Sequence, residues 1–376
     1  MAEDYVTWGG LTDKKFSGRH LPAKRDFNAQ LPDLDTVKEL LRSTSDVRSP
    51  RSTLMLPIFA QWFTDSFLRT KFRVDGPQDF KENESNHEID LCQIYGMTET
   101  QTAMLRSMEN GFLKSQIIDK EEFPAQLFEE TALGVVQIKP EFVGLYTESN
   151  VQRVFGRASN EHKLNCFAVG IEHGNSTMGN TLMNIIWMRE HNRIAREIAK
   201  AHPTWDDERL FQTARNVNIV LLLKVVVEDY IFHISGFPFK MDNKIAEGER
   251  WYRSNWMAAE FALLYRWHDL IPDTVEFGGE RKDSSALNRN NKWLMKVGVR
   301  RACLDASMEP SGKIMLGNTP DFLVEVGKMS LNRKSLASLS SCLLLHFIEC
   351  LTLCLPLQRE EFQDWLLSMI TVNITD

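Results

Sequence analysis

Apolar side chains recur at helical spacing in the first strongly patterned segment of the chain. Phe59, Phe63 and Phe67 follow one another every four residues, so they share one face of a helix. Pro57 suits the first turn of that helix, because proline lacks the amide hydrogen that a first turn leaves unpaired. The pattern predicts a helix over residues 57–70, followed by a polar, turn-rich loop over residues 73–90.

Three further segments carry apolar residues at helical spacing. The first covers residues 177–200 and ends before Pro203, and the third covers residues 249–267. The second covers residues 206–234 and includes a run, residues 217–227, that is apolar on nearly every side and is therefore expected to be buried. Alternating strand patterns are scarce, so the predicted fold class is mainly α.

The C-terminal part of the chain has a different character from the rest. Residues 335–357 form a nearly continuous apolar run, interrupted among the large side chains by His346 and Glu349. Its length matches the roughly 20 residues of a membrane helix, but a central charged pair raises the free energy of insertion. Membrane insertion is therefore the less favoured interpretation of this run.

Charge and cysteine content exclude several classes of protein. The 376 residues include 44 lysines and arginines against 51 aspartates and glutamates, which gives a net charge of −7 without a long basic run. A nucleic-acid partner is not expected, because phosphate binding needs a concentrated basic face. The N-terminus lacks the apolar run of a secretory signal, and the six cysteines are too scattered for a disulfide framework. The expected location is cytoplasmic, or peripheral at a membrane.

The tetrapeptide Tyr265-Arg266-Trp267-His268 carries the richest local chemistry. On the predicted helix, positions three apart share a face, so Tyr265 and His268 could contact the same bound group. A haem iron held by a histidine can be oxidised by peroxide, and a tyrosine beside it is among the few side chains that can be oxidised to a radical. Packing and capping at a helix end are a commoner reason for such a pair, and the tetrapeptide alone does not decide between the two.

A family resemblance supplies the context. The segment AAEFALLYRWHDLIPD (residues 258–273) resembles the proximal-haem segment of animal-type haem peroxidases, and specifically that of the cyclooxygenase (prostaglandin-endoperoxide synthase) branch. Four other segments agree in the same order along the chain: FAQWFTDSF (59–67), IDLCQIYG (89–96), WMREHNRIA (187–195) and VVVEDYIFHISGFPFK (225–240). The resemblance covers residues 59–340 and implies a helical haem-peroxidase catalytic domain.

The resemblance implies roles for four residues and a cofactor. His268 matches the axial ligand of haem b, and Tyr265 matches the tyrosine whose radical abstracts hydrogen from a polyunsaturated fatty acid before dioxygen adds. Gln61 matches a glutamine whose amide can hydrogen-bond peroxide on the opposite side of the haem. Gln61 and Asp65, four residues apart on the predicted helix, are expected to project together.

Asp65 departs from the family pattern, because cyclooxygenases carry a histidine at the matching position. That residue must move a proton between the two oxygens of a peroxide, which works best when its pKa lies near the working pH. An aspartate with a pKa of about 3.9 would be ionised unless burial raised it, so weak peroxidase turnover is expected. His87 and His173 could compensate, although histidines in loops are more often simply solvated.

The resemblance stops near residue 340, which gives three expected regions. They are an N-terminal arm (residues 1–50), an incomplete catalytic domain (51–340) and a divergent apolar tail (341–376), interpreted as a truncated end. The expected function is fatty-acid dioxygenation through a tyrosyl radical, with a fatty acid and dioxygen or peroxide as partners. The alternatives are a peroxidase acting on small reductants and a non-catalytic truncated family member; peripheral membrane association and a homodimer stay open.

Overall fold

A computed structural model describes residues 16–18, 35, 47–71, 82–236, 238–241, 257–265, 267 and 270–312. His268 and the apolar run 335–357 therefore lie outside the described residues. Among the residues described, no helix combines the length and the continuous apolar character needed to cross a membrane.

Helices make up most of the described regular structure, which confirms the predicted mainly α class. They are Met55–Thr64, Cys92–Tyr95, Glu99–Leu105, Glu148–Phe155, Asn160–Leu164, Met178–Ala201, Asp207–Lys224, Ile231–Ser235, Ala259–Leu264, Asn291–Val297 and Val299–Met308. A π-helix, Val225–Tyr230, joins two of them without a break, and short 3₁₀ turns cover Pro140–Phe142, Glu172–Asn175 and Ser284–Leu287.

The strands of the described residues form four separate antiparallel pairs. Arg48–Thr53 pairs with Pro310–Gly312, Ser115–Ile118 with Glu121–Pro124, Phe128–Glu130 with Val136–Ile138, and Thr274–Phe277 with Glu280–Asp283. The predicted boundary after residue 50 falls inside the first of these strands, and the predicted boundary at residue 340 lies outside the described residues.

Met178–Ala201, here called the central helix, organises the core. Its beginning matches the prediction for residues 177–200, because the Thr177 hydroxyl accepts a hydrogen bond from the Asn180 amide and caps the first turn. It packs against Asp207–Lys224 and against Met55–Thr64, here called the Gln61 helix. The indole of Trp62 stacks on Trp187 at 5.8 Å and donates a hydrogen bond of 2.8 Å to Asn184 on the central helix.

The Gln61 helix is shorter than predicted, since it ends at Thr64 rather than at residue 70. The hydroxyl of Thr64 donates to the carbonyl of Ala60, and the hydroxyl of Ser66 donates to that of Phe63. Such bonds compete with the helical ladder and favour a turn. The apolar spacing still holds, because Phe67 is buried and meets Phe63 edge to face at 4.9 Å.

The predicted helix over residues 206–234 forms as three joined parts, but the expectation of burial on all sides was wrong. Asp206 caps its first turn through the Arg209 amide. Val217 is 41% exposed and Val220 is 47% exposed, so one stripe of the apolar run faces away from the described core. Periodicity within a nearly uniform apolar run cannot distinguish the covered face from the uncovered one.

The predicted helix over residues 249–267 is present only as Ala259–Leu264 among the described residues. Ala258 is extended and bridges to Gly18, so the helix cannot begin before it, and residues 249–256 lie outside the described part. Tyr265 already has ψ 83°, so the chain leaves the helix there. The assumption that Tyr265 and His268 share one helical face stays a prediction, because His268 lies outside the described residues.

Candidate functional site

One face of the Gln61 helix lines a cavity of about 330 Å³, here called the tyrosine cavity. The lining residues of this side recur at helical spacing: Pro57, Ala60, Gln61, Thr64, Asp65 and Leu68. The opposite wall comes from Tyr265, Trp267 and Ile271. Three of the four predicted site residues, Gln61, Asp65 and Tyr265, thus border the same space.

Tyr265 stands among aromatic rings in the wall of the tyrosine cavity. It is 8% exposed, stacks on Phe261 at 4.8 Å and meets Trp267 edge to face at 5.4 Å. The rings that contact the phenol are therefore aromatic, while the cavity that it lines also holds the polar side chains of Gln61 and Asp65.

The hydroxyl of Tyr230 shares a hydrogen bond with the hydroxyl of Tyr265. Tyr230 is buried at the end of the π-helix and also packs against Phe59 of the Gln61 helix at 5.2 Å. A π-helix is rare and commonly marks a functional position. Reasoning from the sequence missed Tyr230 as a site residue, although it lies within the segment VVVEDYIFHISGFPFK that carried part of the resemblance.

Asp65 begins the turn that follows the Gln61 helix. Its Oδ2 accepts a hydrogen bond of 2.9 Å from the side-chain amide of Asn180 on the central helix. Burial raises the pKa of Asp65 from 3.8 to about 7, against the lowering influence of Arg69 and of the Asn180 hydrogen bond. The condition under which Asp65 could exchange protons near neutral pH is thus met.

Gln61 extends from the same helix one turn before Asp65. Its side chain is exposed at the mouth of the cavity and makes no hydrogen bond with another described residue. An amide carries donors and an acceptor together, so this side chain is available to a polar ligand.

A second cavity, of about 230 Å³, lies on the other side of the same row of residues. It shares Gln61, Asp65 and Leu68 with the first and is otherwise lined by Arg69, Thr70, Glu84, Arg153, His173 and Ser176. This is here called the charged cavity. Asp65 is therefore accessible from two differently lined spaces.

A network of four ion-paired side chains lies beside the charged cavity, and three of them, Arg69, Glu84 and Arg153, line it. The guanidinium of Arg69, which is almost fully buried, pairs with Glu172 and lies 3.6 Å from Glu84. Arg153 donates to Glu172 at 2.9 Å and to Glu84 at 3.2 Å. Burial opposes ionisation of Glu172, but the charges of Arg69 and His173 and the hydrogen bonds to the carboxylate together outweigh it, so the pKa of Glu172 is lowered. The two positive and two negative charges balance.

The two loop histidines considered as compensating groups have different surroundings. His87 is buried, and its Nδ1 accepts a hydrogen bond of 3.0 Å from the amide of Met257, so it connects two chain segments. His173 lines the charged cavity with Asp65. His191, on the central helix, is fully bonded to Tyr95 and Gly111, and burial lowers its pKa to about 4. Burial and these bonds give His87 and His191 structural roles, so the expectation of a solvated His87 was wrong, whereas His173 is partly exposed in the cavity lining.

The tyrosine cavity has the chemistry that a haem needs. Its Gln61 side combines small apolar residues, Pro57 and Ala60, with polar groups, and its far side is aromatic and aliphatic. Trp267 and Ile271 of that far side flank His268 in the sequence, although His268 itself lies outside the described residues. Within the described part of the chain, no group of three or more histidine, cysteine or acidic residues could hold a bare metal ion.

Comparison with known proteins identifies the family of this chain. The family model described as animal haem peroxidase matches residues 66–309. Prostaglandin G/H synthase 2 of Oryctolagus cuniculus is 30% identical over 344 residues, which are 88% of this chain and 53% of the relative. Prostaglandin G/H synthase 1 of Rattus norvegicus is 31% identical over 337 residues, 86% of this chain and 52% of the relative. The chain thus spans about half the length of these relatives.

Solved structures share the fold at lower identity. Peroxidase A from Dictyostelium discoideum superposes with a TM-score of 0.59 at 18% identity. The superposition covers 80% of this chain and 65% of the peroxidase chain. A fatty acid alpha-dioxygenase of Oryza sativa superposes with a TM-score of 0.55 at 16% identity and covers 79% of this chain and 55% of its own. Together with the matched family model, these similarities show that the chain belongs to the animal haem peroxidase family.

Proposed function

We propose that this chain supports a haem-dependent dioxygenation of a polyunsaturated fatty acid, in which Tyr265 carries the radical. The observation that carries the proposal is the position of Tyr265: a buried phenol, hydrogen-bonded to Tyr230, in the wall of the cavity that Gln61 and Asp65 also line. In this proposal haem b occupies the tyrosine cavity and His268 is its axial ligand.

The bound haem would supply the oxidising equivalent when it reacts with a peroxide. Tyr265 would give up an electron to that oxidant and its phenolic proton to water in the tyrosine cavity, and Tyr230 offers a hydrogen-bond partner that holds the Tyr265 oxygen in position. The Tyr265 radical then takes a hydrogen atom from a methylene group of the fatty acid, which restores the phenol. Dioxygen adds to the carbon radical that remains. The resulting peroxyl radical takes a hydrogen atom back from Tyr265, which gives the hydroperoxide and regenerates the tyrosyl radical.

The decisive experiment reconstitutes the purified chain with haem and measures oxygen uptake with a polyunsaturated fatty acid. We expect a Soret band, uptake by the wild type, and complete loss of uptake in Tyr265→Phe with the Soret band retained. Tyr146→Phe is the matched control, since Tyr146 is also buried and hydrogen-bonded but lines neither cavity. An active Tyr265→Phe variant would refute the radical role, and a chain that binds no haem would favour a non-catalytic member of the family.

A peroxidase acting on small reductants is the second candidate, and the environment of Asp65 favours it. With a pKa of about 7, Asp65 can accept a proton from one peroxide oxygen as the carboxylate and return it to the other as the acid. The sequence alone predicted weak peroxidase activity because Asp65 was expected to be ionised. The raised pKa weakens that objection.

Replacing Asp65 tests the peroxidase candidate. Asp65→Asn removes the exchangeable proton, so peroxide-dependent oxidation of a phenol should fall about 10²–10³-fold while haem binding is retained. The wild-type rate should rise as the pH passes through about 7 and then level off, because Asp65 must start as the carboxylate to take the proton from peroxide. Asp305→Asn, which removes a partly buried carboxylate that lines neither cavity, should change neither the rate nor its pH profile. An unchanged rate in Asp65→Asn would exclude Asp65 as the proton carrier.

A further inference from the structure

Two titratable side chains in the lining of the charged cavity are not needed to balance the charges of its arginines. Arg69 and Arg153 are balanced by Glu84 and Glu172, which leaves Asp65 and His173 as the remaining titratable side chains in its lining. Both lie on the same space of about 230 Å³, which has room for several water molecules. Charged groups of both signs around such a space favour ordered water.

Asp65 has one oxygen committed and one available. Its Oδ2 accepts from Asn180, and Asn180 also donates to the hydroxyl of Ser176 at 3.1 Å, which fixes the amide in this orientation. Oδ1 has no hydrogen-bond partner among the described residues. When the carboxyl is protonated, the proton therefore belongs on Oδ1.

His173 has the complementary properties. Its side chain is 40% exposed, and neither ring nitrogen makes a hydrogen bond of normal length with a described residue. Its Nε2 lies 3.6 Å from Glu172. Burial and the nearby Arg69 and Arg153 lower the pKa of His173, although Glu172 opposes them, so the ring is neutral at pH 7 and can accept a proton. It thus connects the interior of the cavity with bulk solvent.

We propose that His173 exchanges the Asp65 proton with solvent through water in the charged cavity. The proton leaves Oδ1 for a water molecule, which passes one of its own protons to a ring nitrogen of His173. The imidazolium then releases that proton to bulk water, and the reverse sequence reprotonates Asp65. No electron moves, and Asp65 and His173 return to their starting states. His173 is a positioning and relay residue, and the proposal rests on the peroxide-cleaving step assigned to Asp65 above.

The first test is chemical rescue. His173→Gln keeps a hydrogen-bonding side chain of similar reach but cannot carry the proton. Below about pH 7, where Asp65 must first lose a proton to act as the base, peroxide turnover of the haem-loaded chain should fall about 10-fold to 100-fold. Free imidazole should restore much of the lost rate, and the rate should become dependent on buffer concentration. His202→Gln is the control, because His202 is exposed, stacks on Trp205 and does not line the charged cavity. Loss of turnover without rescue by imidazole, or no loss at all, would overturn the relay.

The second test needs neither haem nor turnover. NMR titration of the histidine rings in the haem-free chain, with the His173 signal assigned from His173→Gln, should show that His173 senses the ionisation of Asp65 near pH 7. In Asp65→Asn that inflection should vanish, because the carboxyl that titrates near pH 7 has been removed. An identical His173 titration in both proteins would contradict the shared water path.

The two proposals fail in distinguishable ways. A wild-type chain that binds haem but cleaves no peroxide contradicts the role of Asp65, whereas the NMR coupling still decides whether Asp65 and His173 communicate. An active wild type with an unaffected His173→Gln contradicts the relay alone.

Discussion

The two cavities beside the Gln61 helix share Gln61, Asp65 and Leu68, yet they are opposite in chemistry. The tyrosine cavity is completed by Tyr265, Trp267 and Ile271, and the charged cavity by two arginines, one glutamate, a histidine and two hydroxyl side chains. Aromatic surroundings suit electron and hydrogen-atom transfer, whereas a charged, water-accessible wall suits proton exchange. In the proposed function, one row of residues therefore separates the two kinds of chemistry.

The largest expected effect tests whether the charged wall is structural as well as functional. Arg69→Met leaves Glu172 deeply buried with one guanidinium fewer, so the free energy of unfolding should fall by about 3–5 kcal/mol. Arg193→Met removes an exposed pair with Glu190 and should cost less than about 1 kcal/mol. Urea unfolding of the haem-free chain measures both.

A double variant sharpens that result. Arg69→Met combined with Glu172→Gln should recover part of the lost stability, because no uncompensated buried carboxylate remains. If Arg69→Met lowered the free energy of unfolding no more than Arg193→Met does, the ion pairs of the charged cavity would not stabilise the fold. The two cavities would then differ only in their function.

The next effect concerns Asp65, which belongs to both cavities. Its pKa is higher in the folded chain (about 7) than its ordinary value of 3.8, so the folded state binds the proton more tightly. Its contribution to stability is complete below about pH 4 and is lost as the pH rises through about 7. Asp65→Asn should therefore gain about 2 kcal/mol relative to wild type between pH 4 and pH 8. This is roughly half of the free energy that the full pKa difference would give, because part of the carboxyl group faces the cavities. Equal pH dependence in both proteins would contradict the raised pKa.

The smallest effect is on the tyrosine side. Tyr230→Phe removes the hydrogen bond to Tyr265 and keeps the ring contact with Phe59, so unfolding should become easier by about 0.5–1.5 kcal/mol. Thermal or urea unfolding measures the change, and Tyr146→Phe, whose hydroxyl bonds a backbone carbonyl, is the reference. If Tyr230→Phe left the free energy of unfolding unchanged, the hydrogen bond between the two tyrosines would contribute little to the stability of this side of the tyrosine cavity.

Local signals made part of this molecule predictable. The central helix was predicted to within one residue at each end, because Thr177 caps it and Pro203 follows it. The convergence of Gln61 and Asp65 followed from their spacing on one helix, and the resemblance supplied Tyr265, which lines the same cavity. Each of these predictions depended on residues close together in the sequence or on a matched motif.

The remainder depends on contacts that no local pattern records. Arg69 and Glu172 are 103 positions apart, and the amide of Asn180 reaches Asp65 across 115. The pKa of Asp65 depends on its burial and on these distant partners, so the sequence alone could say only that burial would raise it. The early end of the Gln61 helix depends on side-chain hydroxyls that are equally common inside longer helices.

The π-helix at Val225–Tyr230 has a consequence for how the tyrosine pair could be gained or lost. A π turn holds one residue more than the α-helical ladder on either side of it, so it behaves as a one-residue insertion inside an otherwise continuous helix. A single-codon deletion within this turn would leave the later helix in phase, whereas a single-codon deletion within the preceding helix, Asp207–Lys224, would rotate Tyr230 by about 100°. The two tyrosines would then no longer meet, although both would still be encoded. The contact between Tyr230 and Tyr265 thus depends on the number of residues in this helix as much as on the identity of the two side chains.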